Sequence, residues 1–266
     1  MEYLRPSVFL RGIYAVSGRL RTAADSVLSY ISGGTECVCC GSPCLRVPLC
    51  ARCRRKLFSY VPFSGGYRCR ICGKELISEQ SVCMECRTVQ LIKHTAAVFP
   101  IHRYRLWRKE LVFKWKMEGV RTLSPLFAEL AHDALVSIER ILDTADIPLV
   151  PVPPRPGKIR TAGWDQIRDL CRFLNHRWGH RVLPLLERCS AEQQKKLGRE
   201  ERLSRLNTAY RLSRRCTVLR ENRRMPEHVI VIDDLMTTGA TVEACAALLA
   251  GAGVRSIYAL VLFTDD

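Results

Sequence analysis

Eight cysteines arranged as four C-x2-C pairs restrict the folding of this chain more than any other feature. The pairs form two modules, Cys37/Cys40 with Cys50/Cys53 and Cys69/Cys72 with Cys83/Cys86. A C-x2-C turn holds two thiolates on the same side of a tight loop, and two such turns complete a tetrahedral four-sulfur site for Zn²⁺. The repeated spacing therefore predicts two closed, structural zinc sites.

Other uses of these thiols compete with zinc. Disulfides would need an oxidising compartment, and nothing in the sequence indicates export. An iron–sulfur cluster is also held by four thiolates, so the spacing leaves it open. In the first module, Cys39 and Cys44 lie beside the paired cysteines, and either could replace Cys37 or Cys40 as a ligand.

The segment Val229–Thr241 has the pattern of a strand, a loop and the start of a helix. Residues 229–232 are all β-branched, which indicates a fully buried parallel strand, and Asp233 and Asp234 follow. Next come Thr237, Thr238, Gly239, Ala240 and Thr241. Small residues let the backbone approach a phosphate, which helix amides and hydroxyls then bind. Because the two carboxylates can accept hydrogen bonds from ribose hydroxyls, the segment predicts a site for a phosphorylated ribose.

Strand and helix patterns alternate through the second half of the chain. The predicted elements of residues 146–266 are strands at 148–153, 229–232 and 256–263 and helices at 163–178 and 241–249, and a short strand at 96–101 and two helices are predicted before them, in residues 91–145. Such alternation is typical of an α/β protein with a parallel, doubly wound sheet and helices on both faces. The predicted domains are an N-terminal helical segment (1–34), a double four-cysteine zinc module (35–90) and the α/β domain (91–266).

These features resemble the ComF family, whose members join an N-terminal zinc finger to a type I phosphoribosyltransferase domain. The resemblance runs from about Cys37 to the C-terminus. Besides the cysteine modules and the loop, it includes Tyr104, Lys116-x-x-Gly119, Val150-Pro-Val-Pro153, Gly163-Trp-Asp-Gln166, Gln193 or Gln194, Arg202 and Asn207. It implies a type I phosphoribosyltransferase fold, phosphoribosyl pyrophosphate (PRPP) with Mg²⁺ as the ligand, and an association with DNA uptake in natural transformation.

The resemblance also implies residue roles. Asp233 and Asp234 would bind the ribose hydroxyls, and residues 237–241 would hold the 5′-phosphate. The residues implied for pyrophosphate are Arg155, Lys158 and Arg160. Where the family has Arg-Gly-Phe-Asn-Gln, this chain has Ala162-Gly-Trp-Asp-Gln, which removes one positive charge and adds one negative charge. The sequence identifies neither a general base nor an acceptor, so transfer of the phosphoribosyl group and sensing of PRPP without turnover both stay open.

The charge distribution suggests acidic partners for the first part of the chain. Of the formal net charge of +16, +12 lies in residues 1–120. Residues 104–118 interleave Trp107, Phe113 and Trp115 with arginines and lysines. This pattern suits stacking on single-stranded DNA, but it also suits an amphipathic helix with buried aromatic rings. A single-stranded-DNA-binding protein is therefore the alternative function.

Two further predictions concern location and mobility. The chain lacks a run of about 20 apolar residues, and its Arg-rich start fits an amphipathic helix better than a cleaved leader, so we expect a cytoplasmic protein with no membrane partner. The basic tract 193–224 is predicted to be either a mobile flap over the site or an exposed connector.

Overall fold

The computed structural model describes residues 35–45, 47–58, 63, 68–88, 91–189 and 209–265. The predicted N-terminal helical segment lies outside these residues. So do four residues of the resemblance, Gln193, Gln194, Arg202 and Asn207.

The described residues form short strands and helices in the cysteine-rich part and longer ones after it. The strands are β1 (Thr35–Glu36), β2 (Pro43–Cys44), β3 (Ala97–Arg103), β4 (Leu149–Pro151), β5 (Leu186–Arg188), β6 (Tyr210–Leu212), β7 (His228–Met236) and β8 (Ser256–Thr264). The helices are α1 (Ala51–Phe58), α2 (Met84–Thr88), α3 (Trp107–Lys116), α4 (Ser124–Ile141), α5 (Lys158–Ala162), α6 (Gln166–Trp178), α7 (Arg214–Glu221) and α8 (Ala240–Gly251), with a 3-10 turn at Arg121–Leu123.

Four strands form a parallel sheet in the order β3-β8-β7-β4. Ile232 of β7 is aligned with Leu260 of β8 on one side and with Pro151 of β4 on the other. The predicted α/β class with a parallel sheet, preceded by cysteine clusters, is confirmed. The carboxyl ends of β4 and β7 thus lie side by side, which is where ligands bind in open α/β sheets.

Strand β7 is buried on both faces. Ile230 and Ile232 pack into the core formed with α3, α4 and α6, whereas Val229 and Val231 pack into the core that contains α8. A strand covered on both sides has no polar alternation, which explains its uninterrupted β-branched sequence.

The structure corrects two boundaries. Strand β7 continues to Met236, so the two aspartates lie within its last residues and not after it. Residues 209–224, predicted as part of a flap or connector, instead contain β6 and α7, and β6 pairs antiparallel with β5. The buried side chains of Tyr210 and Cys216 hold this part on the domain, because each removes apolar surface from water.

Helix α3 divides the aromatic residues of the basic segment. Trp115 is fully buried, and its indole Nε1 donates a hydrogen bond to Ser124 Oγ at 2.9 Å. Trp107 and Phe113 are about half exposed, at 49% and 47%. The amphipathic-helix alternative therefore applies to Trp115, which is a core residue. Stacking on DNA is open only to Trp107 and Phe113, which reach the surface.

Among the described residues, none of the helices has the length and apolar character needed to cross a bilayer.

Candidate functional site

Each predicted cysteine module brings four sulfur atoms together, all within 4.8 Å of one another. The sulfur atoms of Cys40 and Cys50 are 3.7 Å apart, and those of Cys72 and Cys83 are also 3.7 Å apart. A tetrahedral Zn–S₄ site with bonds of about 2.3 Å requires sulfur separations of about 3.8 Å. Both clusters therefore fit zinc, and the first is formed by Cys37, Cys40, Cys50 and Cys53 without Cys39 or Cys44.

The two modules dock at different places. In the first, Arg54 pairs with Glu129 of α4 at 2.8 Å, and the carbonyl of Leu57 accepts a hydrogen bond from Arg108 at 2.9 Å. In the second, Gly73 approaches β3 so closely that an added Cβ would overlap the carbonyl oxygen of Val98. The second module thus contacts the edge strand of the sheet by its backbone.

The second module also borders the predicted phosphate loop. A cavity of about 420 Å³ lies between them, lined on one side by Cys72, Lys74 and Glu85 and on the other by Thr237 and Thr238. Lys74 is buried and its ammonium pairs with Glu85 at 2.8 Å. The cavity is thus walled jointly by the cysteine module and the loop.

The loop itself has the backbone that its sequence predicts. Gly239, immediately before α8, has a φ of +83°, a conformation that favours glycine because it has no Cβ. An added Cβ would come within 2.7 Å of Ile92, so the loop is packed from behind. Thr237 and Thr238 are exposed, which leaves their hydroxyls open to solvent at the start of the helix.

A buried polar network surrounds Asp234, which is 3% exposed. Lys116 of α3 places its ammonium 3.1 Å from Oδ1 and 2.9 Å from Oδ2 of this carboxylate. Gln166, at the start of α6, donates from Nε2 to Oδ2 at 2.7 Å and accepts a hydrogen bond from Lys158. Two residues of the family resemblance, Lys116 and Gln166, therefore converge on the acidic pair from different helices.

The network extends to the loop predicted for pyrophosphate. The Lys158 ammonium is 2.8 Å from Oδ2 of Asp165, whose other oxygen accepts the backbone N–H of Arg168 at 2.9 Å and caps α6. Asp165 is one of the departures from the family pattern, and it is a buried cap with a cationic partner. Its negative charge is thus compensated locally.

Electrostatics differ between the two aspartates. Burial raises the pKa of the Asp233 carboxyl well above its usual value, and the neighbouring Asp234 raises it further. Burial alone would lower the pKa of Lys116, but the attraction of Asp234 outweighs this and raises the pKa overall. The site therefore combines Asp233, whose carboxyl has a raised pKa, with an ion pair between Lys116 and Asp234.

The three predicted pyrophosphate residues do not all lie together. Lys158 joins the network at Asp234, whereas Arg155 and Arg160 line a larger cleft of about 1210 Å³ beyond the edge strand β4. The cleft is bounded by the loop after β4, one face of α6 and strand β5.

Sequence reasoning missed two residues near the phosphate loop, Tyr210 and Arg188. Burial raises the pKa of the Tyr210 phenol while the nearby Thr241 side chain lowers it, and the Arg188 guanidinium lies 5.3 Å from the centre of the Tyr210 ring. Both come from the β5–β6 hairpin. Because each hairpin strand has only three residues, no periodic pattern could have revealed them.

Two histidines that lie far apart in the sequence meet in the structure. His132 Nδ1 lies 3.0 Å from His180 Nε2, and the His132 ring stacks on Trp178 at 4.4 Å. The two histidines are 48 positions apart and meet because α4 packs against α6. Of the four cysteines outside the two modules, Cys171, Cys216 and Cys245 are buried, and Cys189 is partly exposed.

The fold and the two cysteine clusters define the class of the protein. It is an α/β protein with a parallel sheet, preceded by two four-cysteine clusters that fit zinc. Two competence proteins are similar to it. The chain is 27% identical over 208 residues to competence protein ComFC of Bacillus subtilis (strain 168), covering 76% of this chain and 77% of that protein. It is 24% identical over 195 residues to competence protein ComFC of Streptococcus pneumoniae (strain ATCC BAA-255 / R6), covering 73% and 79%. No protein-family model matches the chain.

The similarity to ComFC proteins is distant but spans about three quarters of each chain. It therefore confirms the resemblance to the ComF family that the sequence motifs indicated.

Proposed function

We propose that this chain is a ComFC-like competence protein that binds PRPP at the carboxyl ends of β4 and β7 and transfers its phosphoribosyl group. One observation carries this proposal. Asp233, Asp234 and the loop 237–241 follow one another at the carboxyl end of β7, and Gln166 links Asp234 to Lys158. A ligand with a diol, a terminal phosphate and a second anionic group matches this arrangement.

Each part of PRPP has a matching group. The 5′-phosphate faces the amides at the start of α8 and the hydroxyls of Thr237, Thr238 and Thr241, because helix N-termini favour anions. The ribose hydroxyls face Asp233 and Asp234. The pyrophosphate faces Lys158, whose ammonium is about one-quarter exposed despite its contact with Asp165.

In this proposal Mg²⁺ binds together with PRPP. Both oxygens of Asp234 already contact Lys116 or Gln166, and Asp233, which has a raised pKa, accepts the backbone N–H of Asp234. These carboxyls do not fit a magnesium site held by the protein alone, since Mg²⁺ prefers ionised oxygen ligands in octahedral geometry. A magnesium ion on the pyrophosphate would be part of the bound ligand.

Transfer would replace the bond between ribose C1 and pyrophosphate with a bond to an acceptor. Positive charge develops on the ribose during this displacement, and the leaving pyrophosphate gains negative charge. Asp233 and Asp234 orient the diol, while Lys158 stabilises the leaving group. A protein that senses PRPP without turnover would use the same contacts. An assay of pyrophosphate release distinguishes such a sensor from a transferase.

Calorimetry with PRPP, with and without Mg²⁺, tests binding. We expect Asp233→Ala combined with Asp234→Ala to abolish the binding heat, and Arg214→Ala on the exposed face of α7 to leave it unchanged. Release of pyrophosphate in the presence of candidate acceptors tests transfer. A wild-type protein with no heat of PRPP binding would refute the proposal, and binding without pyrophosphate release would favour the sensor.

The exposed rings of α3 favour a second function, binding of single-stranded DNA. Trp107 and Phe113 are half exposed beside Arg105 and Lys109, a combination that stacks bases and attracts phosphates. Phe113 lies on the side of α3 opposite the buried Trp115, and Trp107 is the first residue of the helix.

We expect Trp107→Ala and Phe113→Ala to weaken binding of a 20-nucleotide single strand, each by about 1–3 kcal/mol. The affinity should also fall steeply with salt, because counterions are released from the phosphates. The Asp233/Asp234 double variant is the matched control and should keep DNA affinity. A flat salt response, or equal loss in the control with an intact fold, would exclude a separate DNA surface.

A further inference from the structure

The cleft beyond β4 is a candidate for a second ligand site. Its volume of about 1210 Å³ exceeds the roughly 300–1,000 Å³ of ordinary small-molecule pockets. Its lining runs from the loop after β4 along α6 to His176 and does not include residues 233–241. A PRPP molecule held by Asp233, Asp234 and the loop 237–241 would therefore leave most of the cleft free.

The rim of the cleft is cationic. Five arginines contribute to its lining: Arg155, Arg160, Arg168, Arg172 and Arg188. The two acidic residues of the lining already have cationic partners, Asp165 in Lys158 and Glu187 in Arg211. The lining therefore has a surplus of positive charge that favours an anionic ligand.

Three of these arginines are exposed and make no ion pair with another described residue, namely Arg155, Arg160 and Arg168. Arg172, one turn after Arg168, is exposed as well, although it pairs with Asp169 at 2.9 Å. His176 follows a further turn along. The stripe from 168 to 176 covers about 12 Å of helix, so its donors can contact successive anionic groups of one ligand.

The walls of the cleft are largely apolar. They include Val152, Ile159, Val182 and Leu186, together with a run of prolines after β4. A purely ionic ligand, such as free phosphate, would gain nothing from these side chains. A ligand with a flat, weakly polar ring and a chain of phosphates would use both, because guanidinium groups bind phosphates bidentately and stack on aromatic rings.

From these observations we propose that the cleft binds a nucleotide with two or more phosphates, its base against the apolar wall and its phosphates along Arg168 and Arg172. This site is separate from the phosphoribosyl site, and the proposal does not depend on PRPP binding.

Fluorescence titration of the full chain with N-methylanthraniloyl-ATP tests this site. We expect saturable binding by the wild type and at least about a tenfold weaker Kd for Arg168→Ala combined with Arg172→Ala, since each guanidinium contributes charge-assisted hydrogen bonds. Arg214→Ala with Arg215→Ala, two exposed arginines of α7, is the matched control and should bind like the wild type. Thermal melts of both double variants check the fold.

Four competitors test the site further, namely ribose 5-phosphate, inorganic triphosphate, unlabelled ATP and a single-stranded 20-mer. Excess ribose 5-phosphate should not displace the labelled nucleotide, and inorganic triphosphate should compete more weakly than ATP. Displacement by ribose 5-phosphate would put the nucleotide in the phosphate loop and overturn the proposal. The proposal would also be overturned if triphosphate competed as well as ATP, or if a single-stranded 20-mer bound more tightly than ATP. An unchanged Kd in the Arg168/Arg172 variant, or no binding by the wild type, would overturn it as well.

Discussion

Gly73→Ala tests whether docking of the second cysteine module supports the phosphate loop, and Gly41→Ala supplies its control. Both glycines follow the second cysteine of a C-x2-C pair, and their φ angles are nearly the same, +71° and +70°. They differ in their surroundings. A Cβ on Gly41 meets nothing within 4 Å, whereas one on Gly73 overlaps the carbonyl oxygen of Val98 and lies 2.5 Å from Pro100 Cδ.

The magnitudes follow from that difference. Left-handed backbone costs alanine about 1–2 kcal/mol at either position. Overpacking adds about 1–3 kcal/mol at Gly73 alone, because the neighbouring atoms belong to strand β3 and cannot rotate away. We therefore expect Gly73→Ala to lower the free energy of unfolding by about 2–5 kcal/mol, and Gly41→Ala by about 1–2 kcal/mol.

Urea denaturation in saturating zinc measures both variants. The cavity shared by the second module and Thr237 also predicts that Gly73→Ala weakens ribose 5-phosphate binding, whereas Gly41→Ala leaves it unchanged. Equal destabilisation by the two substitutions would refute the close approach to Val98. A normal ligand affinity in a destabilised Gly73→Ala protein would show that the module does not support the loop.

Three further outcomes are expected. Gln166→Met removes two hydrogen bonds to charged groups, so it should lower the free energy of unfolding, measured in urea, by about 2–4 kcal/mol. In a double-mutant cycle its effect should be coupled to that of Asp234→Asn, and additive losses would contradict the network. Burial lowers the pKa of His102 to about 3, with Arg108 and Arg68 adding repulsion, so the unfolded chain binds its proton first as pH falls. The free energy of unfolding should therefore fall by about 1.4 kcal/mol for each unit by which the pH is lowered, from roughly pH 6.5 to pH 3. The fall should be smaller in His102→Phe, and chemical denaturation over this pH range measures it. A strong chelator should release two zinc ions and unfold residues 35–90, measured by a zinc-sensitive dye and circular dichroism; release without unfolding would contradict a structural role.

Local patterns in the sequence were sufficient for the fold class and for both cysteine clusters. The β-branched run 229–232 predicts a strand buried on both faces because no polar position interrupts it. Likewise, a C-x2-C pair brings its own two sulfurs together whatever the rest of the chain does. In both cases the decisive interactions join residues that are close in the sequence, so spacing and residue type carry the information.

The tertiary structure decided which distant residues meet. Lys116 and Gln166 reach Asp234 across 118 and 68 positions, and the pairing depends on how α3 and α6 pack against the sheet. Gly73 and Gly41 are equivalent in the sequence, yet only Gly73 touches a strand. The side-by-side ends of β4 and β7, and the arginine-rimmed cleft beyond them, follow from strand order. Packing between elements that are far apart in the sequence leaves no local pattern in it. This packing alone brings Lys116 and Gln166 to Asp234, beside the predicted phosphate loop.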